Sequence, residues 1–186
     1  AEQMLVERAA VHGRGVQSRR QGEGAHLPVV VGGEPHVVDP GLAAGAKEVA
    51  TNADVARASD VVILCVTGAP QVEEIVFGKD GLAAGAKAGL VIVDTSTSEP
   101  STTTKMRESL AAQGVKFVDA PLARTPAEAE AGKLNTMVGA DDATFAQVKP
   151  VLGAFCENIF HAGPAGHGIV LKLINNFIGQ AICTAT

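Results

Sequence analysis

Tryptophan and tyrosine are absent from the 186-residue chain, and phenylalanine occurs only 6 times. Recognition of bases or sugars leans on stacked aromatic rings, so it has little to work with here. Positive charge is also scarce. Lys and Arg number 15 against 20 Asp and Glu, giving a formal net charge of -5 and a pI near 5.5. The cationic surplus that draws phosphate backbones is missing, which argues against nucleic acid as a partner.

The three cysteines, Cys65, Cys156 and Cys183, are odd in number, widely spaced and set among apolar residues. That pattern builds neither a disulfide framework nor a zinc site, and it suits a reducing cytoplasm. No signal-peptide core and no uninterrupted run of about 18 apolar residues is present, so membrane insertion is not expected. His12, His26, His36, His161 and His167 show no metal-ligand spacing, and no Ser-His-Asp arrangement is legible. No metal is expected. A G-x-G-x-x-G stretch after a first strand is missing as well. Gly13-Arg14-Gly15 and Gly22-Glu23-Gly24 are only partial matches, and neither follows a recognisable strand.

Hydrophobic residues make up 46% of the chain, enough for a sizeable core in one globular unit. Short apolar runs at residues 27–31, 61–66, 90–94, 115–119 and 134–138 read as strands. Most are apolar at every position, as strands covered on both faces are, and helical stretches separate them. The implied fold class is α/β: a Rossmann-type, doubly wound, mostly parallel sheet. Helices are expected over residues 52–59, 71–76, 101–113 and 141–155, with Pro100 and Gly114 bounding the third and Pro150 or Gly153 ending the fourth. Residues 1–26 carry four Arg, several Gly and no clear strand, and are expected to be divergent or poorly ordered.

From residue 166 onward the chain reads as one long apolar helix, buried apart from a single polar strip edged by glycines. Gly168, Lys172, Asn175, Asn176 and Gly179 share it at about 100° per residue. A lysine partly enclosed by apolar surface has a lowered pKa and suits reversible proton transfer, and an amide one turn on can orient a hydroxyl or carbonyl beside it. Spacing alone also fits, and favours, a lysine that snorkels to solvent and an asparagine pair that caps a loop. Two further segments follow strand ends, where ligands bind in open α/β sheets. Asp94-Thr95-Ser96-Thr97-Ser98-Glu99-Pro100 reads as a ligand loop or an N-capping cluster. In Asp119-Ala120-Pro121-Leu122-Ala123-Arg124-Thr125, Arg124 reads as a carboxylate fork or a surface charge.

Taken in order, these segments resemble the β-hydroxyacid dehydrogenases, the family of 3-hydroxyisobutyrate dehydrogenase and tartronate semialdehyde reductase (2-hydroxy-3-oxopropionate reductase). Their NAD(P)-binding domain is of the 6-phosphogluconate dehydrogenase type. The matching pieces run from Asp60-Val61-Val62-Ile63 to Pro70, through residues 94–100, Phe117-Val118-Asp119-Ala120-Pro121, Gly132-Lys133-Leu134, Met137-Val138-Gly139 and residues 163–168, to Lys172–Asn176. The resemblance implies a cytoplasmic oxidoreductase that moves hydride between NAD or NADP and a small β-hydroxy acid or its semialdehyde. Lys172 would be the general acid/base and Asn176 the orienting amide. Val66, Thr67 and Thr97 would line the cofactor, and Ala123, Arg124 and Thr125 the carboxylate substrate.

It further implies a divergent segment 1–26, a Rossmann domain over 27–163, and the start of an interdomain helix over 164–186. The all-helical domain that closes the site and builds a homo-oligomer in full-length relatives is absent from this sequence. Two departures stand out. Ala123, Arg124 and Thr125 replace the family's Ser-Gly-Gly. Counting back from Ala25-His26 puts Ala9 and Val11 where the first fingerprint glycines belong, with Gly32, Gly33 and Glu34 at the ribose-selecting position. These departures leave a second reading open, a noncatalytic α/β remnant that no longer binds the cofactor productively.

Overall fold

A computed structural model describes residues 9–12, 29–31 and 47–185. Nine strands and seven helices are assigned among them. They are β1 (Ala9–His12), β2 (Val29–Val31), β3 (Lys47–Val49), α1 (Asn52–Ala58), β4 (Val61–Leu64), α2 (Ala69–Phe77), α3 (Leu82–Gly85), β5 (Val91–Asp94), α4 (Pro100–Ala111), β6 (Lys116–Asp119), β7 (Leu122–Ala123), α5 (Pro126–Glu130), β8 (Leu134–Gly139), α6 (Asp142–Leu152), β9 (Cys156–Gly163) and α7 (His167–Ala185).

The main sheet has seven strands in the order β1-β4-β5-β6-β8-β7, with β9 paired to β8. Pairings β1–β4, β4–β5, β5–β6 and β8–β9 are parallel, while β8 runs antiparallel to β6 and β7. A parallel β2–β3 pair lies beside β1. The fold is therefore a Rossmann-type α/β sheet with its order reversing at β1, between β2 and β4. Burial explains the strand composition. All four residues of β4 and of β5 are buried, and the two sheet faces feed separate cores. One gathers Val62, Leu64, Ile92, Met106 and Leu110; the other gathers Val61, Ile63, Val93, Val138 and Leu152.

Three features differ from the sequence reading. A strand does precede residue 27: Ala9–His12 pairs with Val61–Leu64 as β1. Its Ala-Ala-Val-His composition gives little β-propensity, and pairing with an already buried neighbour supplies what local preference lacks. β3 and β9 were not anticipated either. The first holds Lys47 and Glu48, and the second includes Glu157, Asn158 and His161, so neither shows the apolar run of an inner strand.

The third difference concerns α7, which is not a buried helix. Only Gly168, Ile169 and Lys172 are buried, whereas Phe177 is 74% and Ile182 61% exposed. The sheet covers one narrow face of its first turns against β6, β8 and β9. By length and composition α7 is apolar enough to cross a membrane, with a mean hydropathy of 1.3, although Lys172, Asn175 and Asn176 interrupt it. Pro150 lies within α6, which continues to Leu152 and is capped by Gly153.

The tightest contact between neighbouring helices is at Gly85 of α3, where a Cβ would lie 1.9 Å from the Ala53 carbonyl oxygen of α1. Backbone cannot give way as a flexible side chain can. Gly85→Ala is expected to destabilise the fold by about 1–3 kcal/mol, read as a lowered midpoint in urea. An unchanged midpoint would mean that the two helices do not meet this closely.

Candidate active site

The crevice of an open α/β sheet lies outside the carboxyl ends of its strands at the point of order reversal. Here those ends belong to β1, β4 and β5, with β6 alongside. The residues at the end of β4, Val66 and Thr67, are half-buried and exposed respectively. Thr97, beyond β5, is exposed. Buried hydrogen bonds hold both loops. Thr95 donates its amide and its hydroxyl to the Leu64 carbonyl at 2.8 and 2.6 Å, and the Ser96 hydroxyl accepts the Val66 amide at 2.9 Å. Asp94 sets the turn itself, with one carboxylate oxygen accepting the Ser96 amide at 2.9 Å and the other the Ser98 hydroxyl at 3.1 Å. Thr67 and Thr97 thus stand on two loops stitched side by side.

Asp119 ends β6 and is 2% exposed. Its two oxygens accept the amides of Gly166 and Ile169 at 2.6 and 2.8 Å, so it caps α7 from across the sheet. Two glycines make room. A Cβ on Gly139 would sit 2.5 Å from an Asp119 oxygen, and one on Gly168 would sit 2.3 Å from the Met137 carbonyl oxygen. The first turn of α7 therefore lies directly on the ends of β6 and β8. Sequence reasoning placed Asp119 in the substrate loop without assigning its carboxylate a role, because the partner amides lie 47 and 50 residues away.

Lys172 follows one turn on, on the same face as Gly168 and Ile169, and is 8% exposed. Burial lowers its pKa from the ordinary lysine value. Among the described residues its side chain makes no ion pair or hydrogen bond. Asn176, a further turn along, is exposed.

In the loop after β7, Arg124 is engaged within the chain. One Arg124 nitrogen donates to the Lys133 carbonyl and to the Glu157 carboxylate, both at 2.6 Å. Its backbone has φ 87°, in the left-handed region that glycine prefers. This is the position at which the resembling family carries the first glycine of Ser-Gly-Gly. Ala123 pairs with Asn135, and Thr125 caps α5 through a capping box with Glu128. No group of three or more potential metal-binding side chains occurs among the described residues.

Gly13-Arg14-Gly15-Val16-Gln17-Ser18 follows β1 directly in sequence, so the first-strand context missing from the sequence reading is present. The register count that put Ala9 and Val11 at the glycine positions is corrected accordingly, because both residues lie within β1. Residues 13–28 and 32–46, which include both glycine pairs of the N-terminal segment and Gly32-Gly33-Glu34, fall outside the described residues.

Residues 11–163 match the NAD binding domain of 6-phosphogluconate dehydrogenase. The chain belongs to that family. It is 40% identical over 137 residues to 2-(hydroxymethyl)glutarate dehydrogenase of Eubacterium barkeri, covering 74% of this chain and 46% of that protein. It is 36% identical over 142 residues to 2-hydroxy-3-oxopropionate reductase of Escherichia coli K12, covering 76% and 49%. Among solved structures, the 3-hydroxyisobutyrate dehydrogenase of Mycobacterium tuberculosis with L-serine superposes with TM-score 0.81 at 25% identity, covering 92% of this chain and 60% of that one. The chain spans about half the length of the curated relatives it matches.

Two outcomes test the site's geometry. Arg124→Ala removes two hydrogen bonds and keeps a Cβ at positive φ, whereas Arg124→Gly removes the same bonds and relieves the backbone. The alanine variant should be the less stable by about 1 kcal/mol or more, and equal urea midpoints would show that the positive φ is not held. The second outcome concerns pH. Burial raises the Asp94 carboxyl above its ordinary value of 3.8, against the opposing hydrogen bonds from Ser96 and Ser98. With the folded value above the unfolded one, this contribution to stability is full below pH 3.8 and is lost as pH rises through the folded value. Asp94→Asn should therefore make unfolding free energy fall less steeply as pH rises above 3.8; an unchanged slope would count against a raised carboxyl.

Proposed function

We propose that this chain is the cofactor-binding and proton-transferring half of an NAD(P)-dependent oxidoreductase acting on a small β-hydroxy acid or its semialdehyde. The observation that carries the reading is Lys172, buried without a counter-charge among the described residues, on a helix start fastened to the carboxyl end of the sheet. The nicotinamide, when bound, takes or returns the hydride at the carbinol carbon. Lys172 as the free amine accepts the hydroxyl proton while the carbon–oxygen bond becomes a carbonyl, and as the ammonium it returns that proton in reduction. Asn176 orients the same oxygen from one turn on.

The residues fit the group at the level of fold. β1 borders the order reversal, and Gly13 and Gly15 follow it in sequence. Val66, Thr67 and Thr97 lie on the stitched loops beside that crevice, with Thr97 on the nicotinamide side. Ala123, Arg124 and Thr125 form the substrate loop, in which one Arg124 nitrogen also holds Glu157 and the Lys133 carbonyl. The names of the relatives support the substrate class, since 2-(hydroxymethyl)glutarate and 2-hydroxy-3-oxopropionate each join a carboxylate to a hydroxymethyl or aldehyde group one carbon away. The second reading, a noncatalytic α/β remnant that no longer binds the cofactor productively, is carried by the fingerprint, since Gly13-Arg14-Gly15-Val16-Gln17-Ser18 has no third glycine. Full-length relatives are read as homo-oligomers of cytoplasmic enzymes.

Titration with NADH and NADPH, followed by fluorescence, should give micromolar binding of at least one; binding of neither sinks the assignment. In a chain that turns over 3-hydroxyisobutyrate or tartronate semialdehyde, Lys172→Met should lower turnover by about 10²–10⁴-fold with cofactor affinity and melting midpoint retained. Full activity in that variant would remove Lys172 from the chemistry.

A further inference from the structure

We infer that Asp119 is the positioning residue for Lys172: its carboxylate fixes the first turn of α7 on the sheet and so sets where the ammonium stands. This rests on Lys172 as the proton-transferring group. The strand that bears Asp119 does not need that carboxylate. The backbone beyond β6 is held by the Ala120 amide on the Asp94 carbonyl at 2.7 Å, by the Thr136 hydroxyl on the Ala120 carbonyl at 2.8 Å, and by the Met137 amide on the Pro121 carbonyl at 3.5 Å. The hydrogen bonds that the carboxylate accepts come instead from Gly166 and Ile169, at the start of α7.

Lys172 for its part has no partner at its ammonium among the described residues, so nothing at its tip fixes its place. What fixes it is the helix stem. Ile169 and Gly168, three and four residues earlier, share its face, and with Lys172 they are the buried residues of α7. Beyond them the helix is exposed. One carboxylate and two close-packed glycines thus hold the start of a 19-residue helix, and the lysine is the first buried side chain past that clamp.

Asp119→Asn keeps the size of the side chain but turns one acceptor into a donor facing an amide N–H. The contrasting variant is Asp141→Asn, which weakens the cap of α6, where Asp141 accepts the Thr144 amide at 2.8 Å on the same sheet. The probe is the NMR signal of the reductively ¹³C-methylated Lys172, identified by its loss in Lys172→Arg. Asp119→Asn should shift the Lys172 titration midpoint toward an ordinary lysine, at least about a 3-fold change in its acid constant. Asp141→Asn should leave it in place even where both variants melt earlier.

If Asp119→Asn melts earlier and leaves the Lys172 midpoint where it was, the carboxylate is structural only and the inference is overturned. Should Asp119→Asn not fold, the unmodified chain answers the same question. The amide signals of Gly166 and Ile169 should follow the acid titration of Asp119, and the Lys172 signal should move with the same midpoint; a flat Lys172 signal overturns the inference. Neither readout needs turnover. A Lys172→Met chain that stays active removes the proton-transfer role and leaves this coupling standing, while an unmoved Lys172 in Asp119→Asn removes the coupling and leaves that role untouched.

Discussion

A buried carboxylate is costly unless hydrogen bonds replace the water it loses, and a helix start exposes four amides that need acceptors. Asp119 and α7 meet both requirements at once. The carboxylate takes the Gly166 and Ile169 amides, and the helix places its positive end against the charge. The exchange is incomplete, since burial still raises the Asp119 carboxyl above its ordinary value against those hydrogen bonds. The contact survives because its surroundings are built without side chains. Gly139 and Gly168 lack the Cβ atoms that would force the helix off the strands. Where the sheet ends and where the lysine-bearing helix begins are therefore a single constraint.

The neighbouring strand repeats the device in a different form. Asp94 ends β5 as Asp119 ends β6, the two paired in register, but Asp94 turns its carboxylate back on its own loop through Ser96 and Ser98. Ser96 then receives the Val66 amide and Thr95 holds the Leu64 carbonyl. Paired aspartates at adjacent strand ends thus divide the work. One shapes the loop at the reversal crevice, and the other docks the helix that brings a titratable side chain. Nothing in the spacing of Asp94 and Asp119 distinguishes these roles, because the partners of one are local and those of the other lie far along the chain.

That difference also decides what the sequence made legible. Buried inner strands announce themselves: β4, β5, β6 and β8 fall within the apolar runs, since a strand covered on both faces has no polar positions to spend. The strands outside that central group, β1, β3 and β9, are alanine-rich, charged or half-exposed, and their pairing is a property of the sheet rather than of their residues. The missing β1 had a consequence for function, because without a strand before it Gly13-Arg14-Gly15 reads as an ordinary loop. Lys172 was legible as a polar break on an apolar helix. The Arg124 side chain was not, since its partners at Lys133 and Glu157 are fixed by how β7, β8 and β9 align. Apolar periodicity likewise marked α7 as buried, whereas the structure covers only one face of its start.

The exposed length of α7 sharpens the meaning of the one buried charge upon it. A lysine on such a helix could extend toward solvent, which the rest of this helix offers on most sides. A lysine that served stability would take that route or an acidic partner, for an enclosed ammonium without one is destabilising and has its pKa pushed down. Lys172 takes neither, and the packing beneath it is the closest in the helix. The closest packing of α7 thus falls where it holds a group against that group's own preference for water.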